Sequence, residues 1–292
     1  MRILVIGRNG QVANALARLG AERGHALTCV GRNDIDVFSK RAIEDAVSQF
    51  RPEALINAAG YTAVDKAEND QDAAYALNEC TPRLLAEVSS AHRVPFIHLS
   101  TDYVFDGTKP EAYDPTDPIG PINIYGASKA AGEVAVVSAN PATAILRTAW
   151  VYSDTGSNFV KRMLELGAER DELRIVDDQL GNPTFADDIA EACLRLASHA
   201  EFRAAAAGGI YHFAGSGDVT WLGFAKAIFE EAKRRGRRTP AGLLAITTDQ
   251  YPAPARRPAN SRLNCALTEV TFGIVSKPWQ AGLKKCLDRL LA

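Results

Sequence analysis

The hydrophobic positions of the chain follow two spacings that alternate. Short continuous apolar runs, which are typical of strands buried on both faces of a parallel sheet, occur at residues 3–6, 26–30, 54–57, 95–100 and 143–148. Between these runs apolar residues recur three and four positions apart, as at Ala15, Leu16 and Leu19, which predicts amphipathic helices. Strands that alternate with helices predict an α/β fold built on a doubly wound parallel sheet.

Hydroxyl side chains stand at the predicted starts of several helices. Ser39 and Thr220 each precede a stretch with helical spacing and are expected to cap it. Thr184, followed three residues later by Asp187, resembles a capping pair. From Asn158 the pattern is less regular, with short predicted strands and a closing amphipathic helix that contains Trp279 and Leu290.

Composition narrows the class of protein. The 292 residues are 47% hydrophobic and 23% charged, with a formal net charge of −2, which is the profile of an ordinary globular protein with no nucleic-acid or membrane partner. The five cysteines lie far apart, so we predict neither a disulfide framework nor a zinc site. The apolar run at residues 3–6 is too short for a signal or membrane segment. We therefore expect a cytoplasmic protein.

A glycine turn follows the first predicted strand. Gly7 and Gly10 stand in a Gly-x-x-Gly-x-x-Ala spacing that ends at Ala13, where a helix begins. Glycines at such a turn let a pyrophosphate approach the backbone, and the positive end of the helix then holds it. The position directly after a strand and before a helix predicts a Rossmann-like dinucleotide site.

The end of the second predicted strand bears on the choice of cofactor. An acid there would receive a ribose 2′-hydroxyl, whereas an arginine accommodates a 2′-phosphate. The sequence places Arg32 after this strand and no acid beside it, which favours NADPH, with NADH as an accepted alternative. The alternative is that Arg32 is simply exposed to solvent and contacts no phosphate. Asp36 and Val37 are candidates for the adenine side of the site.

Small and hydroxylated residues follow the third and fourth predicted strands. Gly60, Tyr61 and Thr62 come where a cofactor ring lies against backbone in parallel sheets, although a tight turn explains the glycine alone. Thr101 ends the fourth strand and is expected to hydrogen-bond a carbonyl that is being reduced. The alternative is a strand-terminal threonine that satisfies backbone groups.

Tyr125 and Lys129 are four residues apart at the start of a predicted helix. On a helix they share one face. A nearby ammonium lowers the pKa of a tyrosine, so the pair is expected to transfer a proton to or from a substrate oxygen. By itself this spacing is common by chance, and a solvated surface pair would have the same sequence.

Two further stretches carry candidate ligand contacts. Trp150 fits either the core or the wall of a sugar or base site. Arg256, Arg257 and Arg262 lie in one loop and suit phosphate oxygens, although a solvated loop would have the same charges. The acids near residue 187 are typical of a helix's first turn, so we assign no metal.

With these motifs in view, the chain resembles the extended short-chain dehydrogenases/reductases over its full length. The broad-family motifs are the N-terminal glycine turn, residues 57–60 and Tyr125-x-x-x-Lys129. Within that family the chain resembles the dTDP-4-dehydrorhamnose reductases more narrowly. The narrower motifs stand at residues 61–68, 100–107, 147–152, 181–184 and 257–261.

The resemblance implies a Rossmann-like fold, NADPH or NADH as cofactor and a nucleotide-sugar substrate. It implies reduction of the C4 ketone of dTDP-4-dehydro-L-rhamnose during synthesis of cell-surface polysaccharide. We expect an NAD(P)-binding core at residues 1–150, to which later segments return, and a smaller C-terminal α/β substrate lobe at residues 151–292. The catalytic assignments are Thr101, Tyr125 and Lys129.

The remaining assignments follow the same motifs. The cofactor set is Gly7, Gly10, Gln11, Val12, Arg32, Asp36, Val37, Ala59, Gly60, Tyr61 and Thr62, together with Tyr125 and Lys129. The substrate set is Thr101, Asp102, Tyr103, Trp150, Asn158 and Arg257.

The sequence departs from the family motifs at two places, and two other functions are compatible with the same fold. Ala13 replaces the usual last glycine of the turn. Residues 14–17 lack the glutamate with which some relatives hold magnesium between subunits, so a monomer and a homodimer are both open. A nucleotide-sugar epimerase or dehydratase shares the broad motifs and keeps its NAD bound. A non-catalytic regulatory subunit of the same fold has no need of the tyrosine–lysine pair.

Overall fold

The computed structural model describes residues 1–204 and 207–292 and is organised around one parallel sheet. Its six strands lie in the order β2–β1–β3–β4–β5–β10, and every pairing in it is parallel. Three further two-stranded sheets pair β7 with β12, β6 with β9, and β8 with β11. The strands are β1 Arg2–Ile6, β2 Ala26–Val30, β3 Ala54–Asn57, β4 Phe96–Thr101, β5 Ala144–Thr148, β6 Val151–Tyr152, β7 Glu172–Val176, β8 Leu180–Gly181, β9 Thr184–Phe185, β10 Gly209–His212, β11 Val219–Thr220 and β12 Gly242–Ile246.

Helices cover both faces of the large sheet, as the predicted α/β fold requires. They are α1 Gln11–Glu22, α2 Lys40–Phe50, α3 Val64–Ala67, α4 Gln71–Tyr75, α5 Thr81–His92, α6 Ile124–Ala139, α7 Phe159–Glu169, α8 Ala186–Ser198, α9 Ala200–Arg203, α10 Trp221–Arg234, α11 Ala266–Phe272 and α12 Trp279–Leu290. One apolar cluster packs α1 and α8 against the sheet, and another packs α2, α5 and α6 against the opposite face. The Rossmann-like fold class is confirmed.

Strand order fixes where ligands bind. The chain runs from β1 outward to β2 and then returns to β3 on the other side of β1. Open parallel sheets bind ligands at such a switch point, beyond the carboxyl ends of the strands. Gly7 follows β1 here, and residues 58–62 follow β3. The sequence-predicted cofactor residues therefore share this edge of the sheet.

A third apolar cluster forms the core of the C-terminal part. It packs α7, α10 and α12 against β7 and includes Met163, Phe224, Leu283 and Leu287. Strand β10, from the same half of the sequence, pairs with β5 in the large sheet. Segments after residue 150 thus contribute both to the C-terminal core and to the large sheet.

The helix boundaries test the capping predictions. Ser39 accepts a hydrogen bond from the Ala42 N–H, and Thr220 accepts one from the Gly223 N–H, so both predicted caps are confirmed. The prediction for Thr184 is wrong. Its hydroxyl lies in strand β9, where it donates to the Asn182 carbonyl and accepts from the Gly215 N–H.

The helical segment between β3 and β4 is interrupted. A π-helical turn at Ala76–Cys80 separates α4 from α5 and brings the buried Asn78 side chain toward α6. Such turns occur often at functional sites. Within residues 1–204 and 207–292, no helix is long and apolar enough to cross a membrane.

Candidate active site

Two sequence-predicted catalytic residues meet at the carboxyl edge of the sheet. Thr101 is the last residue of β4, and Tyr125 lies in the first turn of α6, whose Asn123 cap accepts from the Gly126 N–H. The Thr101 hydroxyl is close enough to Tyr125 to lower the pKa of the phenol, against the larger effect of burial. The ring of Tyr103 packs edge-on against Tyr125, with 5.6 Å between centroids.

Helix α6 approaches the loop after β4 unusually closely. A Cβ added to Gly126 would lie 2.1 Å from the Tyr103 carbonyl oxygen, so glycine is required there for steric reasons. One residue before it, Tyr125 is thereby fixed against the Thr101–Tyr103 turn. Gly126 is an unspecified position of Tyr125-x-x-x-Lys129, and this contact was not predicted from the sequence.

The pKa of the Tyr125 phenol corrects one expectation. Burial raises it to about 12, with a further raising contribution from the Asp102 carboxylate. The prediction that Lys129 lowers this pKa is wrong for the observed geometry, because the Lys129 ammonium points to the Leu99 carbonyl, 2.7 Å away. Tyr125 is therefore protonated at neutral pH, which is the form that a proton donor needs.

Asp102 is a buried acid beside the catalytic pair. Burial raises its pKa to about 7, although hydroxyls of Ser261 and Thr101 oppose the shift. The Thr101 hydroxyl donates to one carboxyl oxygen at 2.9 Å, and this bond orients the threonine. The other oxygen, Oδ2, is buried and makes no hydrogen bond of ordinary geometry within the described residues.

A buried ion pair holds α6, the helix that carries Tyr125 and Lys129, against the sheet. Glu133, one helical turn after Lys129, pairs with Arg147 of β5 at 2.6 Å, and side-chain exposure is 3% and 2%. Ser100 of β4 donates to the same carboxylate, and the guanidinium also lies over the ring of Phe105. These contacts fix α6 against β4 and β5. Charged residues in a sheet core were not predicted from the sequence.

The glycine turn has the geometry expected of it. Gly7 has a φ of +122°, and a Cβ there would lie 3.1 Å from the Ala58 carbonyl carbon, so both conformation and space require glycine. Gly10 is exposed and has no side chain to cap α1. Gln11 and Val12 begin that helix, and their N–H groups are among those a helix leaves without internal partners.

The end of β2 differs from its prediction. Asp34 accepts from the Gly31 N–H at 2.8 Å and pairs with Arg8, so an acid does lie at this strand end. It was missed because it follows the strand by four residues. Arg32 is exposed beside it.

Of the two candidates for the adenine side of the site, one is buried and the other is exposed. Val37 is buried in the core cluster that packs α2 and α5, so its side chain does not face a ligand. Asp36 is exposed and accepts from the Phe38 N–H at 3.0 Å. The chemistry of these residues was readable from the sequence, but the direction of their side chains was not.

Hydrogen bonds from two asparagine side chains fix the segment after β3. Asn57 accepts from the Ala59 N–H, and Asn78 bonds both the N–H and the carbonyl of Tyr61. The Tyr61 hydroxyl donates to Asp70 at 2.8 Å. Gly60 and Thr62 flank Tyr61, so the residues predicted to contact the cofactor form one ordered turn.

Trp150 has both ring faces covered. It stacks on Trp221 with 3.5 Å between centroids, and Gly181 packs so closely on the ring that an added Cβ would lie 2.4 Å from it. Its φ of +45° is a rare value for a bulky residue and marks local strain. Its ring faces are therefore used in packing. Trp221, which the sequence did not single out, is the ring that faces a groove.

That groove has a volume of about 650 Å³ and lies over β7 and α7 in the C-terminal part. Its apolar wall includes Phe159 and Trp221, and Gln179 contributes a polar group. Four arginines also line it, which suits an anionic ligand: Arg162, Arg170, Arg174 and Arg257.

Arg257 connects the groove to the catalytic residues. It bonds Asp65 at 2.8 Å, and the nearby guanidinium opposes the effect of burial that raises the pKa of Tyr103. Arg262 of the same loop pairs with Asp218 instead. Of these two arginines in the predicted phosphate-binding loop, Arg257 is therefore the one that lies at the site.

Asn158 caps α7 rather than opening onto the groove. Its oxygen accepts from the Lys161 N–H, and its amide nitrogen donates to Gln11 at 2.9 Å and to the Ser153 carbonyl. Asn158 therefore ties the C-terminal part to the glycine turn.

The acids around residue 187 all take part in ion pairs. Asp187 pairs with Arg18 and Arg289, and Asp188 pairs with Lys277. These contacts agree with the preference of acids for a helix's first turn.

Comparison with known proteins gives a consistent result. The family model described as RmlD substrate binding domain matches residues 1–292. A dTDP-4-dehydrorhamnose reductase of Sinorhizobium fredii is 45% identical, with 100% of this chain and 98% of the relative covered.

Two solved structures are similar over the whole fold. The dTDP-4-dehydrorhamnose reductase ortholog of Clostridium acetobutylicum has a TM-score of 0.92 at 34% identity, with 100% of both chains covered. The Bacillus anthracis enzyme in complex with NADP has a TM-score of 0.91 at 33% identity, with 99% of both covered. Together with the geometry of its strand ends, these matches show that the chain belongs to the dTDP-4-dehydrorhamnose reductase family of oxidoreductases.

Proposed function

We propose that this protein reduces the C4 ketone of dTDP-4-dehydro-L-rhamnose to give dTDP-L-rhamnose, with NADPH as hydride donor and NADH as an accepted alternative. The observation that carries the proposal is the meeting of Thr101 and Tyr125 at the switch-point edge of the sheet. The reaction belongs to nucleotide-sugar synthesis for cell-surface polysaccharide.

The residues present fit a dinucleotide. The open N-terminus of α1, the close approach at Gly7 and the ordered turn at Tyr61 lie along one edge of the sheet. Arg32 and Arg8 are the cations that would lie near the 2′-phosphate of a bound NADPH, although Arg8 is paired with Asp34. The Bacillus anthracis relative was solved with NADP, which supports the same assignment.

The catalytic residues divide the work. The bound nicotinamide supplies the hydride to C4. Tyr125 donates its phenolic proton to the C4 oxygen, a role that its raised pKa allows at neutral pH. Thr101 donates its hydrogen to Asp102 in the free site and would turn it toward the C4 oxygen of a bound substrate, which would orient that oxygen against Tyr125. Lys129, one helical turn after Tyr125, would contact the ribose of a bound nicotinamide.

The groove takes the nucleotide end of the substrate. Trp221 and Phe159 offer aromatic surface for the base, and the four groove arginines match two phosphates. Arg257 lies where the groove reaches Tyr103, so it is placed to contact the phosphate nearest the sugar. The sugar then extends toward Tyr125.

An assay with the ketosugar tests the proposal. We expect oxidation of NADPH when dTDP-4-dehydro-L-rhamnose is supplied, slower oxidation with NADH, and none with dTDP-glucose, which has no ketone to accept hydride. Consumption should equal one nicotinamide per sugar reduced. Purified protein that carries tightly bound nicotinamide and turns over without added cofactor would contradict the proposal and favour an epimerase or dehydratase.

A further inference from the structure

A hydrogen-bonded bridge joins the glycine turn to helix α7. Gln11, the first residue of α1, follows the turn directly, and its Oε1 accepts from Nδ2 of Asn158 at 2.9 Å. Asn158 is also the cap of α7, because its Oδ1 accepts from the Lys161 N–H at 3.2 Å. One asparagine side chain therefore contacts both the first residue of α1 and the first turn of a helix in the C-terminal part.

The loop before α7 supports this bridge. The Asn158 amide nitrogen has two hydrogens, and its other short bond goes to the Ser153 carbonyl at 2.8 Å. The Ser153 hydroxyl lies 3.0 Å from the same Gln11 oxygen, with the Thr155 carbonyl as a second acceptor at 2.7 Å. Gly156 has a φ of +69°, and a Cβ there would lie 3.2 Å from Cγ of Gln11. Glycine at this position therefore lets the loop cross the Gln11 side chain.

The two ends of the bridge lead to different ligand sites. Gly10 has no side chain to cap α1, so the first N–H groups of that helix are free to hold a pyrophosphate. At the other end, α7 contributes Phe159, Arg162 and Met163 to the wall of the 650 Å³ groove. A ligand at either site therefore meets residues whose positions depend on the same hydrogen bonds.

We propose that Gln11 is a positioning residue that couples the two sites. When a dinucleotide is held at the N-terminus of α1, the Gln11 backbone is fixed, its side chain holds Asn158, and Asn158 holds the first turn of α7. Binding of either ligand then strengthens binding of the other, and linkage makes the effect equal in both directions. The inference rests on the proposed function for the identity of the groove ligand.

Side-chain ordering gives this coupling its physical basis. Gln11 and Asn158 are both only partly buried, so neither side chain is fixed by core packing. Glutamine is among the side chains that lose most rotamer freedom when they are held in one position. A first ligand that has already ordered the bridge leaves less of this cost for the second, which is positive cooperativity without a large movement.

Hydrogen exchange with NADP⁺ as the sole ligand gives the first test. In the wild-type protein we expect saturating NADP⁺ to slow amide exchange across residues 153–163 by about twofold to tenfold, the range that one hydrogen bond supports. Gln11→Met removes the acceptor but keeps the backbone N–H and the side-chain length, so the slowing should be lost at saturating NADP⁺. Gln11→Glu keeps an acceptor for Asn158 and should restore it. Equal slowing in Gln11→Met and in the wild-type protein would overturn the proposal.

Calorimetry gives the second test, with dTDP as the groove probe. The wild-type Kd of NADP⁺ should fall by about fivefold or more when dTDP is present. Asn158→Ser keeps a hydroxyl to cap α7 but is too short to reach Gln11. We expect its coupling to drop to about twofold or less, since one hydrogen bond of the bridge is gone.

Asn264→Ser is the matched control for Asn158→Ser. Asn264 is exposed, its Oδ1 accepts from the Ala266 N–H at 3.0 Å, and its Nδ2 donates to Asp114 at 2.7 Å, so the same two kinds of bond are changed away from Gln11. This variant should keep the wild-type coupling. Full coupling in Asn158→Ser, or none in the wild-type protein, would contradict the proposal. Failure of the proposed function would appear separately, as no NADPH oxidation with the ketosugar.

Discussion

Tyr125→Phe is expected to lower kcat by about 10²–10⁴-fold, the range that a general acid contributes. The substitution removes the phenolic proton and keeps the ring, so the edge-on packing with Tyr103 remains. The loss should fall on kcat more than on the dissociation constant of NADPH, because most of the proposed cofactor contacts lie at the glycine turn and after β2 and β3. Single-turnover absorbance at 340 nm measures the step directly.

Tyr211→Phe is the matched control. That tyrosine lies on β10, and its hydroxyl donates to the Ala207 carbonyl, so its loss removes one hydrogen bond and nothing near the cleft. We expect unchanged kcat there, with a stability cost of about 1 kcal/mol. A Tyr125→Phe enzyme with native kcat would remove Tyr125 from the role of proton donor.

Glu133→Gln is expected to lower the free energy of unfolding by about 3–5 kcal/mol, because it leaves the Arg147 guanidinium buried without a counter-charge. Both side chains are almost fully buried, so water does not compensate. The same change weakens the support of Ser100 next to Thr101, so kcat should fall as well. Urea unfolding and steady-state kinetics measure the two effects.

Two controls separate charge burial from a general loss of packing. Asp45→Asn breaks an ion pair whose side chains are 91% and 76% exposed, and such pairs contribute about 0–1 kcal/mol. The double variant Glu133→Gln with Arg147→Met removes both charges and should recover part of the lost stability. A Glu133→Gln protein as stable as Asp45→Asn would show that this ion pair does not stabilise the fold.

Local signals in the sequence predicted the framework well. Apolar runs predicted five of the six strands of the large sheet, because a strand covered on both faces needs apolar residues throughout. Hydroxyl caps were correct at Ser39 and Thr220, where a periodic helix follows directly. Thr184 has the same local pattern, but a tertiary partner at Gly215 takes its hydroxyl.

The sequence predicted those site residues whose chemistry is visible in a local motif. The motifs indicated Thr101 and Tyr125, but the sign of the Tyr125 pKa shift depends on burial, which comes from the whole fold. Glu133 acquires its role through partners on two strands of the sheet, Ser100 and Arg147. Spacing along the chain contains no information about such partners.

Hydride is expected to pass from added cofactor to the sugar while Tyr125 supplies the proton. This transfer is measured with NADPH deuterated at the transferred position of nicotinamide C4, with dTDP-4-dehydro-L-rhamnose in ordinary water. We expect one deuterium at C4 of the product sugar and one oxidised cofactor per molecule. A product without deuterium, formed while NADPH stays unconsumed, would contradict this expectation.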